Sequence, residues 1–209
     1  WARRFGERAN MGAMSSKEST VAKRSLQALG VASAIGAGVL AYSLAEAKSY
    51  RLRGVQVPVL EPGSEPLQVL HLSDLHMTPR QAGKAEWIQH LADLQPDLVV
   101  ATGDFMAHPD AVYPVTAALG PLLDIPGVFV FGSNDYYAPK IGNPFTYLVG
   151  PTNYDRGEPD LPWPELSSAL SSGGWIDLSN RRDHIKVDGR LIDVRGVDDP
   201  HIGRDQYEP

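Results

Sequence analysis

The 209-residue chain contains no cysteine. That excludes disulfide staples and thiolate metal ligation, so any metal site must be built from oxygen and imidazole. Positive charge is also scarce: 19 Lys and Arg stand against 25 Asp and Glu, a net charge of -6 with a pI near 5.5. No basic stripe accompanies the polar motifs, which argues against a nucleic-acid partner. Internal repeats are absent as well. What is present, 43% hydrophobic residues over this length, suffices for one folded domain with an appendage.

Three apolar runs each end in polar residues that can bind a cation. Val69-Leu70-His71-Leu72-Ser73-Asp74-Leu75-His76 is the first, and residues two apart on an extended segment point the same way, so Asp74 and His76 would aim at one point in space. The second run, Asp97-Leu98-Val99-Val100-Ala101-Thr102, ends in Gly103-Asp104, and Val128-Phe129-Val130-Phe131 ends in Gly132-Ser133-Asn134-Asp135. Between them, residues 80–95 and 110–123 keep helical spacing, through Trp87, Ile88, Leu91 and Leu94 in one and Val112, Val115, Thr116 and Leu119 in the other. Strand and helix alternation predicts an α/β fold with parallel strands and right-handed crossovers. The carboxyl ends of neighbouring strands then share one edge, where ligands bind. Taken singly, Asp-x-His suits a solvated loop, Gly-Asp a turn whose Asp caps the next helix, and Gly-Ser-Asn-Asp an ordinary turn. Their ordered recurrence at three successive strand ends points to a metal site.

These motifs, in this order and at these strand ends, resemble the calcineurin-like metallophosphoesterase superfamily. The resemblance implies a four-layer α/β/β/α sandwich and two divalent ions, Mn, Fe, Zn or similar. Asp74 and His76 would hold the first ion and Asp104 would bridge the two. The implied activity is hydrolysis of a phosphomonoester, phosphodiester or lipid-linked diphosphate by a hydroxide shared between the ions. For the Gly-Asn-His element of the family, a gapless match places Ser133 at the metal-binding Asn and Asn134 at the His. A one-residue slip keeps Asn134 as the ligand, and an amide carbonyl suits a hard dication better than a neutral hydroxyl. In either register the motif's His is missing, so Asp135, His108, a water or His201 would serve as proton donor. The family's closing His and Gly-His-x-His elements do not occur before Pro209, which makes the expected domain, residues 50–209, partial and its sandwich C-terminally truncated. An alternative from another class is a non-catalytic, membrane-tethered module with an incomplete metal site.

The remaining histidines are expected elsewhere: His71 in the core or behind the ligands, His90 on a helix surface and His184 in a hairpin strand. N-terminal to the motifs, residues 25–45 carry no charged side chain and are rich in Ala, Gly, Leu and Val. Residues 25–47 therefore read as a transmembrane or signal-anchor helix after a basic segment at 1–24. Arg3, Arg4 and Arg8 bias the N-terminus toward the cytoplasm, and a membrane-side location makes a phospholipid or lipid-linked diphosphate a natural substrate. Residues 50–60 suggest a first, edge strand containing Pro58. Residues 138–164 suggest a long loop bordering the site, residues 164–172 a short helix, and residues 184–197 a hairpin turning at Asp188-Gly189.

Overall fold

The computed structural model describes residues 27, 29–139 and 157–206. The chain divides into a unit ending at Val55 and a second beginning at Gln56. In the first unit, helix α1 (Leu29–Glu46) is long and apolar enough to cross a membrane, and none of its residues is buried. A signal sequence near an N-terminus has the same length and composition. The strand expected at residues 50–60 does not form; Leu52, Val55, Val57 and Val59 are all exposed. Leu52 falls out of step with the alternation of the valines, Gly54 weakens an extended segment and Pro58 removes a ladder donor, so no consistent face exists to be buried.

The second unit is organised by a four-stranded parallel sheet in the order β1-β2-β3-β4, comprising β1 (Val69–Leu72), β2 (Leu98–Thr102), β3 (Gly127–Val130) and a short β4 (Ile176–Asp177). Sequential order means that every crossover steps the same way, and a constant crossover hand then places the connecting helices on one face. Side chains alternate accordingly. Leu70, Leu72, Val99, Ala101 and Phe129 join the buried hydrophobic residues of α2 (Ala82–Gln89), α3 (Val112–Leu123), the short α4 (Ser133–Tyr136) and α5 (Trp163–Ser172) in the larger core. Leu98 and Val128, on the opposite face, pack with Ile185 and Val187 of the antiparallel hairpin β5 (Arg181–Val187) and β6 (Arg190–Gly196). Among the described residues these elements make three layers, helices, sheet and hairpin.

Boundaries moved where backbone chemistry overrode periodicity. The helix expected at 80–95 ends as α2 at Gln89 and continues as a 3₁₀ turn, His90–Leu94, stopped by Gln95 in the left-handed region at φ 51°. His108 and Pro109 start the next helix with a 3₁₀ turn, Pro109–Ala111, before α3. At the hairpin, Asp188 and Gly189 both take positive φ, 46° and 76°, the pairing a two-residue type I′ turn requires. Residues 140–156 of the expected long loop lie outside the described residues.

Candidate metal centre

The loops after β1 and β2 hold the first three candidate ligands. Within Asp74-Leu75-His76-Met77, Leu75 and Met77 are buried, and sinking each apolar side chain contributes about 1.5–3 kcal/mol. The alternate residues, Asp74 and His76, are thereby left facing outward. The main chain does not continue as a strand, however: Asp74 and His76 both have positive φ, 57° and 41°. Pairing with the second loop stabilises this path. Asp74 N–H donates to Gly103 O at 3.1 Å, His76 N–H to Asp104 O at 2.8 Å and Met77 N–H to Phe105 O at 2.7 Å. Lys84 of α2 adds a brace, its Nζ donating to the Leu75 carbonyl at 2.5 Å. Burial lowers the Lys84 pKa from its ordinary value.

Asp104, also at positive φ (57°), faces this pair. His76 Nε2 lies 3.7 Å from Asp74 Oδ1 and 3.7 Å from Asp104 Oδ2, and one ligand atom from each residue falls within 4.8 Å of the others. Oxygen and nitrogen donors reach a dication at about 2.0–2.2 Å, so the two 3.7 Å separations from His76 already suit a shared ion, and a small side-chain adjustment would close the third. Two carboxylates and an imidazole also match the donor set that suits Mn, Fe(II) or Zn. The residues present therefore fit a divalent cation.

Asn134 joins them from the loop after β3. Its main-chain N–H donates to Asp104 Oδ1 at 2.9 Å and its Nδ2 to Asp104 Oδ2 at 2.8 Å. Ser133, the other candidate for the third motif, instead has its main-chain N–H held by Asp199 Oδ2 at 2.7 Å. Close backbone approach makes this meeting possible. Gly103 has φ 83°, and a Cβ there would run into Gly132 N and Phe131 C; a Cβ on Gly132 would strike Asp104 Oδ1. Combining the unfavourable φ with the overlap, Gly103→Ala is expected to destabilise the domain by about 3 kcal/mol, measured by chemical denaturation. A loss under about 1 kcal/mol would show that the loops can separate freely.

Two candidate proton donors have different occupations. Asp135 is fully buried, and its carboxylate accepts from the main-chain N–H groups of Asp104 (2.8 Å), Phe105 (2.7 Å), Met106 (3.0 Å) and Gly132 (3.0 Å). Burial pushes its carboxyl up to about 7 and the charge of Asp104 adds to that, while donors from Gly132, Met106 and Phe105 pull it down. A group so enclosed ties two site loops together and exposes no surface of its own. His108 has a contact of its own within its turn. Its Nδ1 accepts from Asp110 N–H at 3.1 Å and caps the Pro109–Ala111 turn.

Of the other histidines, His71 Nε2 lies 2.8 Å from Thr102 Oγ1, joining β1 to β2 just before the ligand loops. His90 pairs with Asp93 at the surface, and His184 is exposed on β5. His201 is exposed in the 3₁₀ turn Pro200–Ile202, whose N-cap is Asp199. Nothing in the sequence marks Asp199 as a neighbour of the site. Its one local signal was an N-cap type immediately before a proline; the contact with Ser133 spans 66 residues and has no sequence signature.

Comparison with known proteins agrees with this architecture. The chain is 26% identical over 148 residues to the uncharacterized metallophosphoesterase YkoQ of Bacillus subtilis (strain 168), an alignment covering 68% of this chain and 47% of that protein. It thus spans about half the length of that curated relative. The calcineurin-like phosphoesterase family matches residues 67–203, a span that begins just before β1 and includes every strand and all four clustered residues, Asp74, His76, Asp104 and Asn134. On that match, and on the strand-end motifs that it contains, the chain belongs to the calcineurin-like phosphoesterase family.

Proposed function

We propose that the chain is the metal-binding part of a membrane-attached phosphoester hydrolase, with Asp74, His76 and Asp104 holding one divalent cation and Asp104 shared with a second on the Asn134 side. The convergence of two carboxylates and an imidazole within 4.8 Å carries the reading. Divalent cations in such a centre neutralise charge on a phosphoryl group and acidify a water. The protein's part is orientation. The paired loops hold Asp74 and His76 against Asp104, and Asn134 holds both oxygens of Asp104. A half turn of the Asn134 amide would exchange Nδ2 for Oδ1, the atom that a cation requires.

Helix α1 supports attachment to a bilayer, because its exposed Leu29, Val31, Ile35, Val39, Leu40 and Leu44 form an apolar surface of sufficient length to span one. A phospholipid or lipid-linked diphosphate is the substrate class that this placement favours. The test is hydrolysis by the Mn-loaded chain of bis-p-nitrophenyl phosphate and of a lipid diphosphate in mixed micelles. Faster turnover of the lipid supports the lipid reading; turnover of the soluble ester alone would leave the hydrolase and remove the lipid.

The second reading, a tethered module without catalysis, is favoured by one observation: in either register of the third motif, Gly132-Ser133-Asn134-Asp135, the family's His is missing. Metal analysis separates the two. Two equivalents of Mn per chain support the hydrolase, and one or none supports the module.

A further inference from the structure

The α4 turn (Ser133–Tyr136) starts at Gly132, which has no side chain with which to cap it. Its first N–H groups are instead satisfied by carboxylates from distant segments, as an exposed helix end requires. Asn134 N–H goes to Asp104, and Ser133 N–H goes to Asp199 Oδ2 at 2.7 Å. The second oxygen of Asp199 accepts His201 N–H at 2.7 Å, so one carboxylate joins two turns. Asp199 is in turn held by its neighbour. Asp199 N–H donates to Asp198 Oδ1 at 2.8 Å, while buried Asp198 accepts from Tyr136 Oη at 2.7 Å and from Arg204 Nε at 3.2 Å. Arg204 also lies over the Tyr136 ring, 3.9 Å from its centroid. The segment bearing Asp199 is thus anchored to the far end of the same α4 turn whose start Asp199 caps.

We propose that Asp199 is a positioning residue of the metal centre, acting through Ser133 to keep Asn134 against Asp104. This rests on the reading of Asp104 and Asn134 as parts of that centre. Both oxygens of Asp199 are used by main-chain N–H groups, so Asn at this position can replace only one of them. Among the described residues, no other side chain accepts from Ser133 N–H.

Calorimetric titration of the metal-free chain with Mn²⁺ provides the test, alongside the NMR shift and exchange rate of the Ser133 amide. Asp199→Ala is expected to weaken Mn²⁺ binding about 10–100-fold, as loss of a partner behind the ligands does, with faster exchange at Ser133. Asp199→Asn, which keeps an acceptor and guards against loss of folding, is expected to fall between wild type and Ala. Tyr136→Phe breaks the bond to Asp198 but leaves Asp199 itself on Ser133, so it should lower the melting temperature and weaken Mn²⁺ binding much less than Asp199→Ala. Wild-type binding that Asp199→Ala leaves intact, or that Tyr136→Phe weakens equally, would overturn the positioning role alone. A wild type that takes up no Mn²⁺ would remove the metal reading and this inference together.

Discussion

Replacing Asp104 by Asn is expected to weaken divalent-cation binding by at least about 100-fold, the upper end of what loss of a partner merely behind the ligands produces, and to lower the proposed phosphoester hydrolysis in proportion. Asn has the same size and retains one acceptor for the two Asn134 donors, whereas the negative charge that faces His76 and Asp74 disappears. Stability should change little. One hydrogen bond is weakened, worth about 1 kcal/mol, while repulsion between Asp104 and buried Asp135 is relieved. Binding and melting therefore separate the electrostatic role from a structural one. Titration with Mn²⁺ and a urea melt of the metal-free protein should give a large change in the first and about 1 kcal/mol or less in the second. Unaltered Mn²⁺ affinity would show that Asp104 is not a ligand.

The opposite pattern is expected at Asp135. Asp135→Ala leaves the N–H groups of Asp104, Phe105, Met106 and Gly132 without their acceptor, in surroundings where Phe105 and Met106 are 1% and 0% exposed. An orphaned buried donor costs about 1–3 kcal/mol. The four losses will not add fully, because the loop can relax toward water, so a destabilisation of about 4 kcal/mol is expected. Against the roughly 5–15 kcal/mol that keeps a domain folded, that is a large fraction. Asp135→Asn, retaining an acceptor, should lose about half as much. Urea denaturation measures both. A loss below about 1 kcal/mol in the alanine variant would mean that the two loops are held by other contacts, chiefly the Phe105, Phe129, Phe131 and Tyr136 rings packed edge-on beneath them.

Much of this protein is readable along the chain. Apolar runs of four to five residues, separated by helices with a buried stripe, dictate parallel strands, and the polar residues that interrupt each run mark where the strands stop. That local chemistry suffices to nominate Asp74, His76, Asp104 and the Ser133-Asn134 pair. Same-side projection from an extended strand is not what makes them converge. β1 ends at Leu72, and left-handed backbone at Asp74, His76 and Asp104 turns the three side chains together.

Only the tertiary structure decided the rest, because the deciding contacts join residues far apart in sequence. A buried carboxylate collecting four N–H groups reads along the chain like any acid near a glycine, so the tie that Asp135 makes between two loops shows only when its partners from residues 104–106 are seen. Asp199 carries no local sign of the Ser133 amide that it caps. The sequence by itself determined which chemistry sits at the strand ends, since burial pattern and residue type are local properties. Tertiary structure alone determined which of those groups face one another, since hydrogen-bond satisfaction is settled only when distant loops close on each other.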